Sequence, residues 1–334
     1  MELGLQFGNA RHSPRPKGNI STTLRHSQWA LQTLRHALDR RNFRRSLELR
    51  THAVEVDYNH KSQRSKDHGG TLDGQGNALW ACKHARRSCP HGTDTLAIGN
   101  SKNVEIIGLS SINSKLFHIS IYKTENVALR GLKIVAPEAS PNTDGIHVQM
   151  SRGVTITGSS IKTGDDCISI GPGSTNMWIE GLPAGRGMES GRSLQEEGVK
   201  NITVKTAEFT GTQNGLRIKA WARDSTGFVN GVSFQHAVMK NVENPIVIDQ
   251  NYCPSSHGCP SQASGIKINQ VQFWDIKGTS AKKVAVTLDC SPRNPCRGIS
   301  LRDIKLTYNG GPAKSFCCHA SGTTMGVVDP SGCL

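Results

Sequence analysis

The sequence predicts an all-β protein, folded as a right-handed parallel β-helix in which short strands stack in successive turns of a solenoid. Its 334 residues include 35 glycines and only 5% aromatic side chains, a composition that suits short strands joined by tight turns. From Gly69 onward, short segments that alternate apolar and polar side chains begin with Asn or Gly. Successive segments start between 23 and 35 residues apart, at Asn103, Asn126, Gly153, Asn176, Asn201, Asn230, Gly265 and Gly298.

A repeat of this length indicates a solenoid, because each turn can bury its inward side chains only against its neighbours. The two-residue alternation favours strands over helices. The alternative, a β-sandwich, would have turns about every 8–12 residues. We therefore divide the chain into an atypical basic segment at 1–68 and a β-helix domain at 69–334.

The opening segment differs from the rest in charge. Residues 1–68 carry 13 basic and 6 acidic side chains, so +7 of the chain's net charge of 40 − 26 = +14 lies there. The leucines within 24–38 allow an amphipathic helix before the basic run 40–45. Such a run suits nucleic acid or an anionic membrane, but no aromatic platform or known binding motif accompanies it. We expect a solvated helix or a disordered segment.

Charge and cysteines constrain the partner and the compartment. A basic protein favours acidic partners, either nucleic acid or an acidic polysaccharide. The ten cysteines include pairs at short spacing, which indicate disulfides and an oxidising compartment rather than zinc: Cys82/Cys89, Cys253/Cys259, Cys290/Cys296, and Cys317 or Cys318 with Cys333. In contrast, the first 15 residues have no apolar core typical of a signal peptide. No apolar run approaches the ~18 residues of a membrane span.

The stretch 140–170 holds three carboxylates, Asp144, Asp165 and Asp166, each in a turn before a β-rich run. Asp144 and Asp165 are 21 positions apart, so stacked turns would bring them about 4.8 Å apart. Carboxylates crowded in this way raise at least one pKa, which suits general acid and base catalysis. Since Asp-Gly and Gly-Asp are also ordinary turn dipeptides, the stretch alone does not prove a site.

Two cations follow at strand spacing. Arg217 and Lys219 are two residues apart, so both project from one face of a strand. Together they suit a carboxylate ligand, with arginine as a bidentate fork and lysine as a point charge.

In these residues the sequence resembles the plant polygalacturonases of glycoside hydrolase family 28. The matching motifs are Asn142-Thr143-Asp144, Gly164-Asp165-Asp166 and Arg217-Ile218-Lys219, and the resemblance covers about 69–334. It implies a pectin-lyase-like β-helix that hydrolyses α-1,4 galacturonan with inversion.

The resemblance also implies roles for particular residues. Asp165 would protonate the leaving oxygen, while Asp144 and Asp166 would activate the attacking water. Arg217 and Lys219 would hold galacturonate carboxylates, with Asn142 and Tyr252 lining the cleft. The family needs no metal or cofactor. It implies a secreted, monomeric cell-wall enzyme whose partner is homogalacturonan, with no nucleic-acid or membrane partner.

One family motif is missing. A Cys-Gly-Pro-Gly-His-Gly-Ile segment should follow the paired aspartates by about twenty residues, but 182–190 reads Leu-Pro-Ala-Gly-Arg-Gly-Met-Glu-Ser. A one-base shift of codons for the present residues can yield the expected ones, so we infer a local frameshift. Cys167 resembles half of a disulfide with the lost cysteine. We expect the chain to be impaired, and a catalytically inactive pectin-binding paralogue or pseudogene product is the alternative.

Overall fold

The structure is a computed structural model that describes residues 54–57, 65–183, 188–190, 193–253, 259–331 and 333–334. Its strands, numbered in chain order, form three sheets that run along one solenoid. Within sheets 1 to 3 each strand pairs in parallel with the strand of the next turn, apart from the short β23. The predicted parallel β-helix is therefore confirmed.

Sheet 1 has ten strands, in spatial order β1 (Val54–Asp57), β4 (Leu96–Gly99), β7 (Ile119–Tyr122), β10 (Ile146–Gln149), β13 (Ile168–Ile170), β15 (Met188–Ser190), β17 (Asn214–Trp221), β19 (Asn244–Tyr252), β21 (Val284–Asp289) and β24 (Lys314–Cys318).

Sheet 2 contains β2 (Ser65–His68), β5 (Lys102–Ile107), β8 (Glu125–Arg130), β11 (Arg152–Thr157), β14 (Thr175–Pro183), β16 (Val199–Thr210), β18 (Phe228–Val242), β20 (Lys267–Ser280), β22 (Cys296–Tyr308), β23 (Gly311–Pro312) and β25 (Ala320–Asp329).

Sheet 3 is shorter, with β3 (Thr71–Asp73), β6 (Ser110–Ile112), β9 (Lys133–Val135) and β12 (Ser160–Lys162). One helix, α1 (Asn77–His84), lies between β3 and β4.

The core runs along the inside of the solenoid. Ile119, Ile146 and Ile168 are register partners on three successive turns of sheet 1, and all three side chains point inward and are buried. Because each turn stacks like side chains on like, the two-residue alternation in the sequence separates core positions from outward ones.

The recurring Asn and Gly residues have a backbone explanation. Asn103, Asn126, Asn176 and Asn201 all adopt positive φ angles between 55° and 58° near the starts of sheet 2 strands, and Gly153 takes the same place at 68°. This left-handed region is accessible mainly to glycine and asparagine. The amides also bond between turns, for example from Asn126 Nδ2 to Asn103 Oδ1 at 3.2 Å.

The late turns depart from the predicted starts. At the turn into β20 the left-handed position is taken by Gln270, with φ of 54°, and not by Gly265. In the preceding turn it is Gly231, one residue after the predicted Asn230. The sequence pattern failed at Gly265 because glutamine does not stand out as a turn residue.

The β-helix also begins earlier than residue 69. Strand β1 pairs with β4 and β2 pairs with β5, so the residues at 54–57 and 65–68 belong to the solenoid. Val54-Glu55-Val56 has the alternation expected of a strand, but the prediction of an atypical segment up to 68 overlooked it. The predicted helix within 24–38 and the basic run 40–45 lie outside the described residues.

Four disulfides close local loops between strands, as the spacing predicts: Cys82–Cys89, Cys253–Cys259, Cys290–Cys296 and Cys317–Cys333. The structure thus selects Cys317 over Cys318 as the partner of Cys333. The Cys167 thiol is buried and lies 3.6 Å from the carbonyl oxygen of Ile161.

Candidate active site

Two of the three carboxylates occupy equivalent positions on neighbouring turns. Asp144 and Asp166 each lie two residues before an inward isoleucine, and those isoleucines, Ile146 and Ile168, are register partners. The Gly145 amide also donates a hydrogen bond to the Asp166 carbonyl at 2.9 Å. The turn-to-turn offset here is 22 residues, so Asp144 is level with Asp166 and not with Asp165, as the 21-residue spacing suggested.

The loops that carry these carboxylates are locked together. The Thr143 hydroxyl accepts a hydrogen bond from the Gly164 amide at 3.1 Å and lies 2.7 Å from the Ser140 hydroxyl. A Cβ on Gly164 would stand 2.1 Å from the Ser140 carbonyl oxygen, so only glycine fits there. The residues beside the aspartates in both motifs therefore fix the two loops relative to each other.

Asp165 is the partly accessible member of the group. Its Oδ1 accepts a hydrogen bond from the Asp166 amide at 2.9 Å, and its carbonyl oxygen accepts one from the Thr163 hydroxyl at 3.1 Å. These bonds hold the Asp165 carboxylate at the mouth of the turn.

Asp166 is buried and bonded to both cations. Its Oδ1 lies 3.4 Å from Arg217 Nη2 and its Oδ2 lies 3.4 Å from Lys219 Nζ. The cations alternate along β17 with the inward Ile218, so both point outward, as the strand spacing predicts. The structure thus brings both predicted cations to the carboxylates.

Burial raises the pKa of Asp144 well above its usual value near 3.8, and the charges of Asp166 and Asp165 raise it further. A hydrogen bond from Ser169 and the positive charge of Lys219 oppose this shift. The cluster therefore favours keeping a proton on Asp144, while Asp166 lies between two cations that favour its ionised form.

Sequence reasoning missed the side chains behind Asp144. Besides its bond to Asp144, Ser169 places its hydroxyl 2.8 Å from Nδ1 of His147. The His147 ring stacks on Phe117, with ring centroids 4.5 Å apart. A signal was available, because Ser169 and His147 are outward register partners on the strands that follow the aspartates.

The predicted cleft residues lie at the margin of this cluster. The Tyr252 ring has Lys219 Nζ 4.8 Å from its centroid and Arg217 Cζ 5.7 Å from it, and its edge meets Trp221. Asn142 is exposed, with φ of 59°, and its Oδ1 accepts a hydrogen bond from Lys83 at 3.4 Å. Lys83, at the end of α1, was not predicted to lie here.

A protein-family comparison identifies the chain. The model described as glycosyl hydrolases family 28 matches residues 55–326. The chain belongs to this glycosidase family. The match begins with strand β1, in agreement with the extent of the solenoid.

Curated plant proteins are the similar sequences. A polygalacturonase of Prunus persica is 57% identical over 272 residues, which cover 80% of this chain and 69% of the relative. An exopolygalacturonase of Platanus acerifolia is 42% identical over 272 residues, covering 78% of this chain and 72% of that protein.

Solved structures share the fold. The endo-xylogalacturonan hydrolase of Aspergillus tubingensis has a TM-score of 0.67 at 24% identity, covering 80% of this chain and 76% of the other. The polygalacturonase of Erwinia carotovora has a TM-score of 0.57 at 26% identity, covering 79% and 71%.

The segment in which the family's His motif is missing falls largely outside the described residues. Residues 184–187 and 191–192 are not described, and only the backbone of β15 is seen between them. That backbone pairs Met188 with Ile170 on one side and with Ile218 on the other. A strand of sheet 1 therefore still separates the turn of Asp166 from that of Arg217.

Proposed function

We propose that this chain is a polygalacturonase that hydrolyses α-1,4 galacturonosyl bonds of homogalacturonan with inversion of configuration. The observation that carries the proposal is the buried carboxylate of Asp166, held by Arg217 and Lys219 beside two further carboxylates. The arrangement combines acid and base groups with cations that suit a carboxylate-bearing sugar. The names of the plant relatives agree with this substrate.

The acid and base roles are divided by environment. Asp166 is paired with two cations, so it stays ionised and can accept a proton from the attacking water together with Asp144. The three carboxylates interact, so a proton kept by burial belongs to the group and not to one residue. Asp165 is the partly accessible member, and by family likeness it delivers this proton to the leaving oxygen.

Proton and bond changes balance in one displacement. The bond from C1 to the glycosidic oxygen breaks as that oxygen takes the proton from Asp165. A water on the opposite face forms the new C1–O bond and gives a proton to the pair of Asp144 and Asp166. Two carboxylates have then exchanged protonation states, and proton exchange with solvent restores them.

Arg217, Lys219 and Tyr252 form the proposed sugar-binding wall. Tyr252 packs against both cations and keeps their flexible side chains from spreading, while Asn142 lines the other side of the carboxylates. An acidic sugar in this cleft would replace the hydration of two partly buried cations, which strengthens the contact.

A cell-wall location is proposed for the protein, as for an enzyme acting on pectin. The four disulfides agree with an oxidising compartment. In the described part of the chain, no helix has both the length and the apolar character needed to cross a bilayer. A monomer without nucleic-acid or membrane partners remains part of the proposal.

The inactive pectin-binding alternative depends on the segment around 184–190. Retention of all three carboxylates with both cations in contact favours hydrolysis over binding alone. A binder needs only Arg217 and Lys219.

Release of reducing ends from polygalacturonate, measured alongside binding of the same polymer, tests the proposal. The chain and its Asp165→Asn variant should both bind, and only the former should release reducing ends. Absence of both binding and cleavage, in the chain and in a version carrying the family's His segment, would overturn it.

A further inference from the structure

Helix α1 is anchored to the solenoid by one face. Leu79 and Trp80 are buried beneath it, and a Cβ on Gly76 would stand 2.5 Å from the Trp80 ring. The last turn of the helix carries Lys83 and His84, and the disulfide Cys82–Cys89 closes the loop that follows. The position of Lys83 is therefore set by packing and not by a free loop.

The end of this helix rests on the loop before Asp144. Lys83 Nζ donates a hydrogen bond to Asn142 Oδ1 at 3.4 Å, and His84 Nε2 lies 2.8 Å from the Ala139 carbonyl oxygen. Since Asn142 is two residues from Asp144, the Lys83 ammonium lies at the edge of the carboxylate cluster.

Lys83 and the pair of Arg217 and Lys219 flank the carboxylates from opposite directions. In sheet 1, β4 follows α1 in the chain and lies on one side of β10, whereas β17 lies on the other side. The carboxylates stand at the starts of β10 and β13, between the two groups of cations. Turns are spaced about 4.8 Å apart, so a sugar chain running along the solenoid would pass both.

The charge of Lys83 is available for a ligand. Within the described residues its hydrogen-bond partner is an amide oxygen, which leaves the positive charge without a carboxylate. Burial lowers the pKa of Lys83, because the half-buried ammonium has lost part of its hydration. A carboxylate ligand would offset that loss.

We propose that Lys83 forms a second cationic subsite, which binds a galacturonate carboxylate on the side of the catalytic carboxylates opposite Arg217 and Lys219. The subsite rests on the proposed function, since it requires an acidic polysaccharide in the cleft. It would hold a polygalacturonate chain at both ends across the bond to be cleaved.

Calorimetry with the full chain carrying Asp165→Asn tests the subsite without turnover of the ligand. The probes are a galacturonate hexamer and the same hexamer fully methyl-esterified. We expect Lys83→Ala to weaken binding of the acidic hexamer about tenfold or more, as for loss of a charge-assisted hydrogen bond. Binding of the esterified hexamer should not change. Lys83→Arg should restore most of the affinity.

The matched control is Lys240→Ala, which removes an exposed lysine paired with Glu208 on sheet 2. It should bind the acidic hexamer as the parent does, and the melting temperatures of both variants should match the parent's. If Lys83 only positioned Asn142, Lys83→Ala would weaken both hexamers equally, which would overturn the subsite.

Two other results have separate meanings. Normal binding by the parent together with unchanged binding by Lys83→Ala would overturn the subsite and leave the proposed function intact. Failure of the parent to bind the acidic hexamer would overturn the proposed function, and the subsite with it.

Discussion

The carboxylate of Asp166 and the ammonium of Lys219 lie 3.4 Å apart, and each of these side chains is less than a tenth exposed. Arg217 approaches the other carboxylate oxygen at the same distance. A buried ion pair loses hydration on both sides, so neither partner is stable there without the other.

Removal of Asp166 should therefore destabilise the fold as well as abolish activity. We expect Asp166→Ala to lower the free energy of unfolding by about 3–5 kcal/mol, because it leaves two cations in the cleft without their carboxylate. Urea denaturation measures this loss. Glu208→Ala, which breaks the exposed pair with Lys240, is the control and should cost about 0–1 kcal/mol. Equal costs for the two variants would contradict the account of the buried pair.

Asp144→Asn should have the opposite effect on stability. The folded-state pKa of Asp144 is raised, so the native chain binds more protons there than the unfolded chain does. Stability is therefore highest at low pH and falls as pH rises from about 3.8 through the folded-state pKa. An amide cannot ionise and escapes this loss.

The melting temperature of Asp144→Asn should thus exceed that of the parent at pH 7, with the difference shrinking toward pH 4. Activity should fall, because one water-activating carboxylate is lost. A melting temperature below the parent's at pH 7 would show that burial does not disfavour ionised Asp144.

The proposed acid and base should separate by their response to the leaving group. An aryl galacturonide with a good leaving group needs little protonation, so Asp165→Asn should lose far less activity on it than on polygalacturonate. Asp166→Asn should lose activity on both substrates, since water activation is still required. Initial rates on the two substrates decide the assignment, and equal losses for Asp165→Asn on both would remove Asp165 from the acid role.

Gly164 provides a test of positioning without change of a charged group. Gly164→Ala should reduce the rate about 10²-fold or more, because its Cβ would meet the Ser140 carbonyl oxygen and displace Asp165. Gly99→Ala is the control, since a Cβ there would meet its nearest atom at 4.0 Å. Polygalacturonate turnover and circular dichroism of both variants give the measurement. An unchanged rate for Gly164→Ala would contradict the role of the locked loops.

The missing His segment gives a prediction by restoration. We expect replacement of 184–190 by Cys-Gly-Pro-Gly-His-Gly-Ile, with the lost residues added, to raise the hydrolysis rate about 10²–10⁴-fold, as for recovery of one positioned catalytic group. Reducing-end assays of the two chains, purified from a host without pectinase, make the comparison. Equal rates would show that the altered segment does not impair the enzyme.

The sequence predicted the solenoid well because its backbone constraint is local. Asn126 and Gly153 mark left-handed positions that recur once per turn, and such positions favour only a few residue types. The same logic failed at Gln270, which adopts that conformation without being a typical turn residue. The sheet pairing of Val54–Asp57 was missed because a single short strand gives no repeat.

The site was predicted where motif spacing sufficed and missed where register decides. Asp165 and Arg217 could be assigned to one cluster from their order in the chain. The alignment of Asp144 with Asp166 depends on the offset between turns, which differs from 22 to 27 residues between neighbouring pairs of strands. Lys83 could not be found, because only the packing of α1 brings it to Asn142.

The stereochemistry of the first product tests the central claim most directly. Proton NMR during early hydrolysis of polygalacturonate should show the β-anomer of the new reducing end before the α-anomer, in the chain and in its restored version. The corresponding Asp165→Asn proteins should give neither. Early appearance of the α-anomer, or cleavage undiminished by Asp165→Asn, would contradict the proposal that Asp144, Asp165 and Asp166 act as an inverting acid–base cluster.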